Sequence, residues 1–257
     1  MLFTILFALA LTRVESATRT QLVDVFRGIG DTMQILVGAV ITLAPVGVFA
    51  LVLPLAAHMG SAFAGAVGYY VIVNACFSLG ITLLLYPLAT VFGGIPVRQF
   101  AKAAVPVQLI GVSSASSVAS LPALIDSADR ALALPSEASG FVLPLAVSTL
   151  KVAAPMVWAV GACFIGWFYG VPLGIRELST IAFAGVFLSF AAPGVPNGAF
   201  LLLTPLFVQI GLPAEGIGIL IALDAIPDRM ATVLNVTGDL TAAALVVRGT
   251  SHERTTA

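Results

Sequence analysis

Charge is scarce in this chain. Charged residues are 9% of 257 and the net charge is −1, where an ordinary soluble domain carries roughly 25% charged residues. A chain this poor in basic side chains has no surface for nucleic acid, and none is expected as a partner. Histidine and cysteine are equally rare, with two of each. His58 and His252 have no histidine, cysteine or carboxylate partner at ligand spacing, so no metal centre of that kind is expected. Cys76 and Cys163 lie far apart within apolar runs and read as buried small hydrophobes, not as a disulfide. The chain also lacks a nucleophile–histidine arrangement and a glycine-rich phosphate loop, which argues against an enzyme. No cofactor is expected.

Apolar sequence is what the chain has in quantity. Hydrophobic residues reach 60% and the mean hydropathy is +1.10. The expectation is an all-α integral membrane protein that crosses the lipid bilayer several times. Residues 1–97 read as the end of one span, a long helix with a charged approach (Ala17–Asp31) and an apolar run to about Ala57, and a second span over Gly68–Phe92. The opening run Met1–Thr12 is too short to span. Without a positive n-region it is a poor signal peptide; it reads better as the tail of a span whose beginning is missing.

Residues 98–247 are organised differently. Around Gly111–Pro122 five serines fall within eight positions, at Ser113, Ser114, Ser116, Ser117 and Ser120. Such a segment is poor lipid-facing sequence and suits a re-entrant hairpin tip covered by protein. The first hairpin is placed at about 98–134. A span over 139–170 follows, with Lys151 inside it and Pro144 and Pro155 on either side, which predicts a local break. A second hairpin is placed at about 173–210, with its tip at Ser189–Gly198. A polar-striped span over 214–247 and a disordered tail over 248–257 complete the chain. Two interrupted apolar segments in corresponding positions point to a transporter built from inverted repeats.

The last span carries the most chemistry. At 100° per residue Asp224, Asp228, Thr232, Asn235 and Asp239 fall within roughly 80° of one another on a helix, with Arg229 beside them. Carboxylates and an amide in one row suit ammonium groups, sodium or protons. Ionisable groups at membrane depth are costly and are usually functional.

These residues also resemble a known family. Asn235-Val236-Thr237-Gly238-Asp239 is similar to the last-helix signature of the dicarboxylate/amino acid:cation symporters, which have the glutamate-transporter fold. Ser116-Ser117-Val118-Ala119-Ser120-Leu121-Pro122 resembles that family's first hairpin tip, Gly194-Val195-Pro196 its second, and Ala44-Pro45-Val46-Gly47-Val48-Phe49-Ala50 a stretch before its transport core. The likeness runs from about Leu2 to Val247 and covers the family's C-terminal two-thirds. It implies a glutamate-transporter-like core with two re-entrant helical hairpins and a partial scaffold, and a homotrimer when full length. It implies a secondary active transporter for a small-molecule substrate, an amino acid or dicarboxylate. By the resemblance, Asp228 holds the substrate ammonium and Asn235 the α-carboxylate. Ser116, Ser117, Thr232 and Val195 complete the substrate contacts, Val195 as part of a lid. Asn235 and Asp239 match ligands of one sodium site, and the backbone around Ser189–Ala192 matches another. Asp224 and Arg229 support the stripe.

Three departures from the family pattern matter. Ala231 stands where acidic-substrate members carry an arginine, so a neutral amino acid fits better than glutamate or aspartate. Leu150-Lys151-Val152-Ala153-Ala154 stands where the family has Asn-Met-Asp-Gly-Thr, so sodium ligands are gone and an ammonium replaces them. Sodium-independent or proton-linked coupling is one reading of Lys151; a structural counter-ion for Asp239 is the other. Lastly, members carry several spans before the point that matches Met1, so an N-terminally truncated fragment that does not transport is the alternative to a working transporter.

Overall fold

The computed structural model describes residues 2–136, 138–191 and 198–256. Every regular element among them is a helix. The chain divides into two units, Met1–Phe49 and Ala50–Ala257.

The first unit holds α1 (Leu2–Leu11) and most of α2 (Ser16–Met59). The charged approach and the apolar run expected near Ala17–Ala57 form that single helix, and neither Pro45 nor Pro54 stops it. Phe7 of α1 meets Phe26 of α2 edge-on, with ring centroids 5.5 Å apart.

The second unit takes in the last turns of α2 and then α3 (Ser61–Val91), which ends at two glycines. A Cβ on Gly93 would lie 2.5 Å from Ala89 O, and Gly94 has φ +73. Only glycine suits so sharp an exit. Pro96 then caps α4 (Val97–Ser114). The chain reverses at Ala115, in left-handed conformation with φ 49. It returns through α5 (Leu121–Asp126) and a π-helical turn, Ser127–Ala131. Gln99 donates to Ala131 O at 2.9 Å, so the two ends of this excursion lie together.

A second π-helical turn, Ala138–Val142, runs into α6 (Leu143–Thr149). The helix then breaks where Leu150 turns extended (φ −90, ψ 98) and resumes as α7 (Ala154–Phe168). Pro144 and Pro155 sit in the first turns of α6 and α7, positions that need no N–H. Next come α8 (Ile175–Ser189), α9 (Gly198–Gln209), α10 (Gly216–Leu223) and α11 (Pro227–Thr256). Among the described residues three helical stretches are long and apolar enough to cross a membrane: Phe63–Val91, Ala138–Phe168 and Pro227–Gly249.

Two expectations need correction here. The polar span is not one helix, because α10 stops and α11 begins at Pro227. Proline lacks an N–H and disfavours helix in the residue before it. The tail expected to be disordered from Arg248 instead continues α11 to Thr256. Gly249 interrupts it only weakly, and extending a formed helix is much easier than starting one.

Within this unit α11 is the most enclosed span: 61% of its apolar window is buried, against 17% for Phe63–Val91. Helix α3 runs parallel to it, with Leu85 level with Gly238 and the Arg248 guanidinium on Val91 O. One core cluster gathers Tyr70, Trp158, Ile165, Leu203, Phe207 and Leu234. The other gathers Phe100, Val107, Leu124, Leu143, Val236 and Leu240. The cysteines, expected to be buried, are both exposed. In a membrane protein, apolar positions also face lipid, so an apolar run does not by itself mean burial.

Candidate functional site

The break between α6 and α7 lies against one face of α11. Asn235 Oδ1 accepts a hydrogen bond from the Ala153 N–H at 2.9 Å. That N–H heads α7, where helical backbone leaves donors free. The carboxamide Nδ2 of Asn235 remains available for a second partner. One turn on, Gly238 allows a close approach: a Cβ there would sit 2.7 Å from Val152 Cγ2. Another residue along is Asp239, with 0% exposure and neither carboxylate oxygen hydrogen-bonded.

Lys151 is buried in the same break. Its ammonium donates to Val147 O at 2.6 Å, across the end of α6. The charges of Asp239 and Asp228 both act on it. Neither carboxylate comes within ion-pair distance; among the described residues ion pairs form at Asp24–Arg27 and Asp126–Arg130, both outside the site. Lys151 thus lies within electrostatic reach of both aspartates without touching either.

The first turn of α11 carries Asp228, whose N–H bonds Asp224 O at 2.8 Å. That bond bridges the α10–α11 junction, so Asp224 keeps its place in the polar row although it lies outside the helix. Asp224 and Thr232 are buried. Arg229 is exposed and turns back onto Ala225 O. Ala231 is buried, and its methyl offers no charge to the neighbouring space.

Glycines bring the other elements to this face. Gly111 of α4 packs on Thr232, where a Cβ would be 3.3 Å from Thr232 Cγ2. The serine-rich segment follows directly. Ser116 O accepts the Ser120 hydroxyl at 2.9 Å, and the Ser116 hydroxyl accepts the Ala119 N–H at 3.2 Å. Ser117 and Ser120 are buried there. Gly185 of α8 packs on Pro155, just past the break. Ser189 lies one turn further along and gives its hydroxyl to Val186 O at 2.7 Å. Ala192 and Val195 fall outside the described residues.

Some polar residues at this face carry no signal in the motif. Gln108 Nε2 donates to the Thr237 hydroxyl at 2.9 Å and also meets the Tyr86 hydroxyl at 3.0 Å, tying α3, α4 and α11 together. Tyr70, Asn74, Ser78 and Thr82 form a buried row on α3. Their four-residue spacing inside an apolar span is visible in the sequence.

A model of the sodium:dicarboxylate symporter family matches residues 1–248. The chain belongs to this family. Its relatives include the proton/glutamate-aspartate symporter of Escherichia coli (strain K12), 28% identical over 96% of this chain and 56% of its own length. Excitatory amino acid transporter 4 of Mus musculus is 28% identical over 95% of this chain and 44% of its own. Neutral amino acid transporter B(0) of Rattus norvegicus is 29% identical over 95% and 44%. The chain therefore spans about half the length of these relatives. Family and relatives are transporters by name, not enzymes, and the symporter helices place the chain in a membrane. Acidic and neutral amino acid transporters match almost equally, so overall identity does not separate them.

Proposed function

We propose that this chain forms the substrate- and ion-binding core of a secondary active transporter for a small amino acid, neutral in preference to acidic. The observation that carries this reading is the pairing of Asn235 with the broken helix. Its Oδ1 is committed to Ala153, which leaves Nδ2 to donate to a substrate α-carboxylate. Asp228, in the first turn of the same helix, takes the substrate ammonium. Thr232 and the tip residues Ser116 and Ser117 line the space between them, with Val195 as part of a lid. The excursions through α4–α5 and α8–α9 act as re-entrant hairpins in the bilayer. Ala231 favours a neutral side chain because a buried methyl cannot pair with a second carboxylate. A dicarboxylate would need a cation that this position does not supply.

Coupling is altered at Lys151. The break holds a fixed ammonium where a bound cation would otherwise compensate Asp239, so transport proceeds without sodium or with protons. Asn235, Asp239 and the backbone at Ser189 and Ala192 remain as places where sodium would bind if it is used. Asp224 and Arg229 hold the start of α11. The full-length protein is a homotrimer of a bacterial inner membrane. Uptake by the full-length gene product in liposomes tests the reading, with neutral and acidic amino acids and dicarboxylates, each with and without sodium. Saturable uptake of a neutral amino acid in sodium-free buffer is expected. Transport that depends wholly on sodium would sink the coupling claim. Preference for glutamate or aspartate would sink the substrate claim.

A further inference from the structure

The row on α3 is not explained by the substrate site. Tyr70, Asn74, Ser78 and Thr82 recur every four residues and share one helix face. All four are buried in a span that is otherwise apolar. Two of them look inward to their own helix: Thr82 donates to Ser78 O at 2.7 Å, and Asn74 Nδ2 donates to Tyr70 O at 3.0 Å. Asn74 Oδ1 and Ser78 Oγ are left buried with no hydrogen-bond partner, and the Tyr70 hydroxyl, also buried, has only a weak interaction with the Asn74 side chain that falls short of hydrogen-bond geometry. Buried polar atoms are nearly always satisfied, by protein or by something bound.

The opposite wall is acidic. Because α3 runs parallel to α11, its Tyr70 end is level with the α10–α11 junction, and Tyr70 and Asp224 act on each other electrostatically. Asp224 is 5% exposed, and its carboxylate makes no hydrogen bond or ion pair among the described residues. Asp228, one turn on, adds a second negative charge. No resident cation offsets the pair fully. Arg229 is exposed and turned to Ala225 O, and Lys151 acts on Asp239 and Asp228, not on Asp224. An uncompensated buried carboxylate beside unpartnered oxygens is a site short of positive charge, and hard cations take oxygen ligands.

We infer that Asp224, the Tyr70 hydroxyl and Asn74 Oδ1 bind a small monovalent cation, sodium or a hydrated proton, between α3 and the α10–α11 junction. This site is separate from the Asp239 centre. Along a helical axis the two aspartates are about 22 Å apart at 1.5 Å per residue. Asp224 supplies the charge and Asn74 a neutral carbonyl oxygen. Tyr70 binds through its oxygen lone pair. The inference does not depend on which substrate the protein carries.

Thermal unfolding of the purified full chain in detergent tests it. Sodium replaces choline at constant ionic strength near neutral pH, and a second series lowers pH without sodium. In an Asp239→Asn background, which removes the deeper carboxylate, a cation-dependent rise in melting temperature is expected to persist. Adding Asp224→Asn abolishes it. In the otherwise native chain, Tyr70→Phe raises the half-saturating cation concentration about tenfold, the equivalent of about 1.4 kcal/mol. A rise with sodium identifies the metal ion, and a rise only on acidification identifies the proton. No rise of either kind in the Asp239→Asn background overturns the site, as does a rise that Asp224→Asn leaves unchanged. If the Asp239 variant fails to fold, an unchanged half-saturation in Tyr70→Phe overturns it instead.

Discussion

Replacing Gly238 by alanine tests how the broken helix is held. The new Cβ would stand 2.7 Å from Val152 Cγ2 and 3.5 Å from Val152 Cβ. Carbon atoms prefer roughly 3.5–4.0 Å, so a gap of about 1 Å must open. Valine has a stiff χ1 and cannot fold its methyl away cheaply. The displacement therefore passes to the backbone between Lys151 and Ala153. There the Ala153 N–H bonds Asn235 Oδ1 at 2.9 Å, a length that a shift of about 1 Å takes beyond hydrogen-bonding range. Overpacking costs about 1–3 kcal/mol and the lost bond about 1 kcal/mol more. Alanine's better helix propensity returns up to about 1 kcal/mol. The net expectation is a loss of about 1–3 kcal/mol, with weaker substrate binding because Asn235 loses its anchor.

The assay is a double-mutant cycle on thermal or denaturant unfolding, with substrate-induced stabilisation read on the same samples. Val152→Ala removes the methyl that the new Cβ would strike. It should cost stability alone, yet recover much of the loss when combined with Gly238→Ala, giving an interaction energy of at least about 1 kcal/mol. If Gly238→Ala is neutral, or if Val152→Ala fails to rescue it, the close contact between α11 and the break is not what orders this region.

Further outcomes are expected at neighbouring positions. Lys151→Met removes the ammonium that acts on Asp239 and Asp228, and leaves Asp239 buried without compensation; with the charges beyond ion-pair distance a loss of about 1–3 kcal/mol is expected, partly restored by added sodium, measured by unfolding with and without the ion. Asp228→Asn should keep the fold but weaken substrate binding by about 2–5 kcal/mol, read as loss of substrate-induced thermal shift. Ala115→Gly relieves a left-handed alanine at φ 49; strain relief of about 1–2 kcal/mol against a glycine entropy cost of about 0.5–1 kcal/mol predicts a small net rise in melting temperature.

Legibility in the sequence varied with the kind of signal. The break at Leu150–Ala153 was readable because prolines on either side and a lysine in an apolar run all disfavour an uninterrupted helix. The junction at Asp224–Ile226 left a mark as plain, Pro227, but the regular polar spacing on both sides of it suggested one helix. That spacing survives because the Asp228 N–H still reaches Asp224 O, so helical periodicity crosses a gap in the helix. The reversal at Ala115 has no local signal, since alanine is not a left-handed residue by preference; the serines beside it mark only a segment poorly suited to lipid. The acidic row on α11 was evident from composition alone. The facing row on α3 shows its spacing in the sequence but not its significance, because tyrosine, asparagine, serine and threonine are individually tolerated in spans. Only their missing partners distinguish them, and partners are a property of packing between helices.

The contacts between the break and α11 impose an order on what can move. Lys151 acts on Asp239, Val152 abuts Gly238, and Ala153 bonds Asn235. Consecutive residues of the break thus meet α11 at 239, 238 and 235, in reverse register. Leu150 is extended, at φ −90 and ψ 98. Past it the chain closes into a single turn: Ala153 has helical φ −74 and ψ −27, and the Ala154 N–H bonds Lys151 O at 3.1 Å. That one turn presents all three residues to α11. If Leu150 became helical, α6 would run on into α7 and the turn that faces α11 would be lost. Charge compensation at Asp239 and the orientation of Asn235 are therefore linked through one backbone conformation. A change at Lys151 has a path to the substrate side of α11 that needs no movement of the helices themselves.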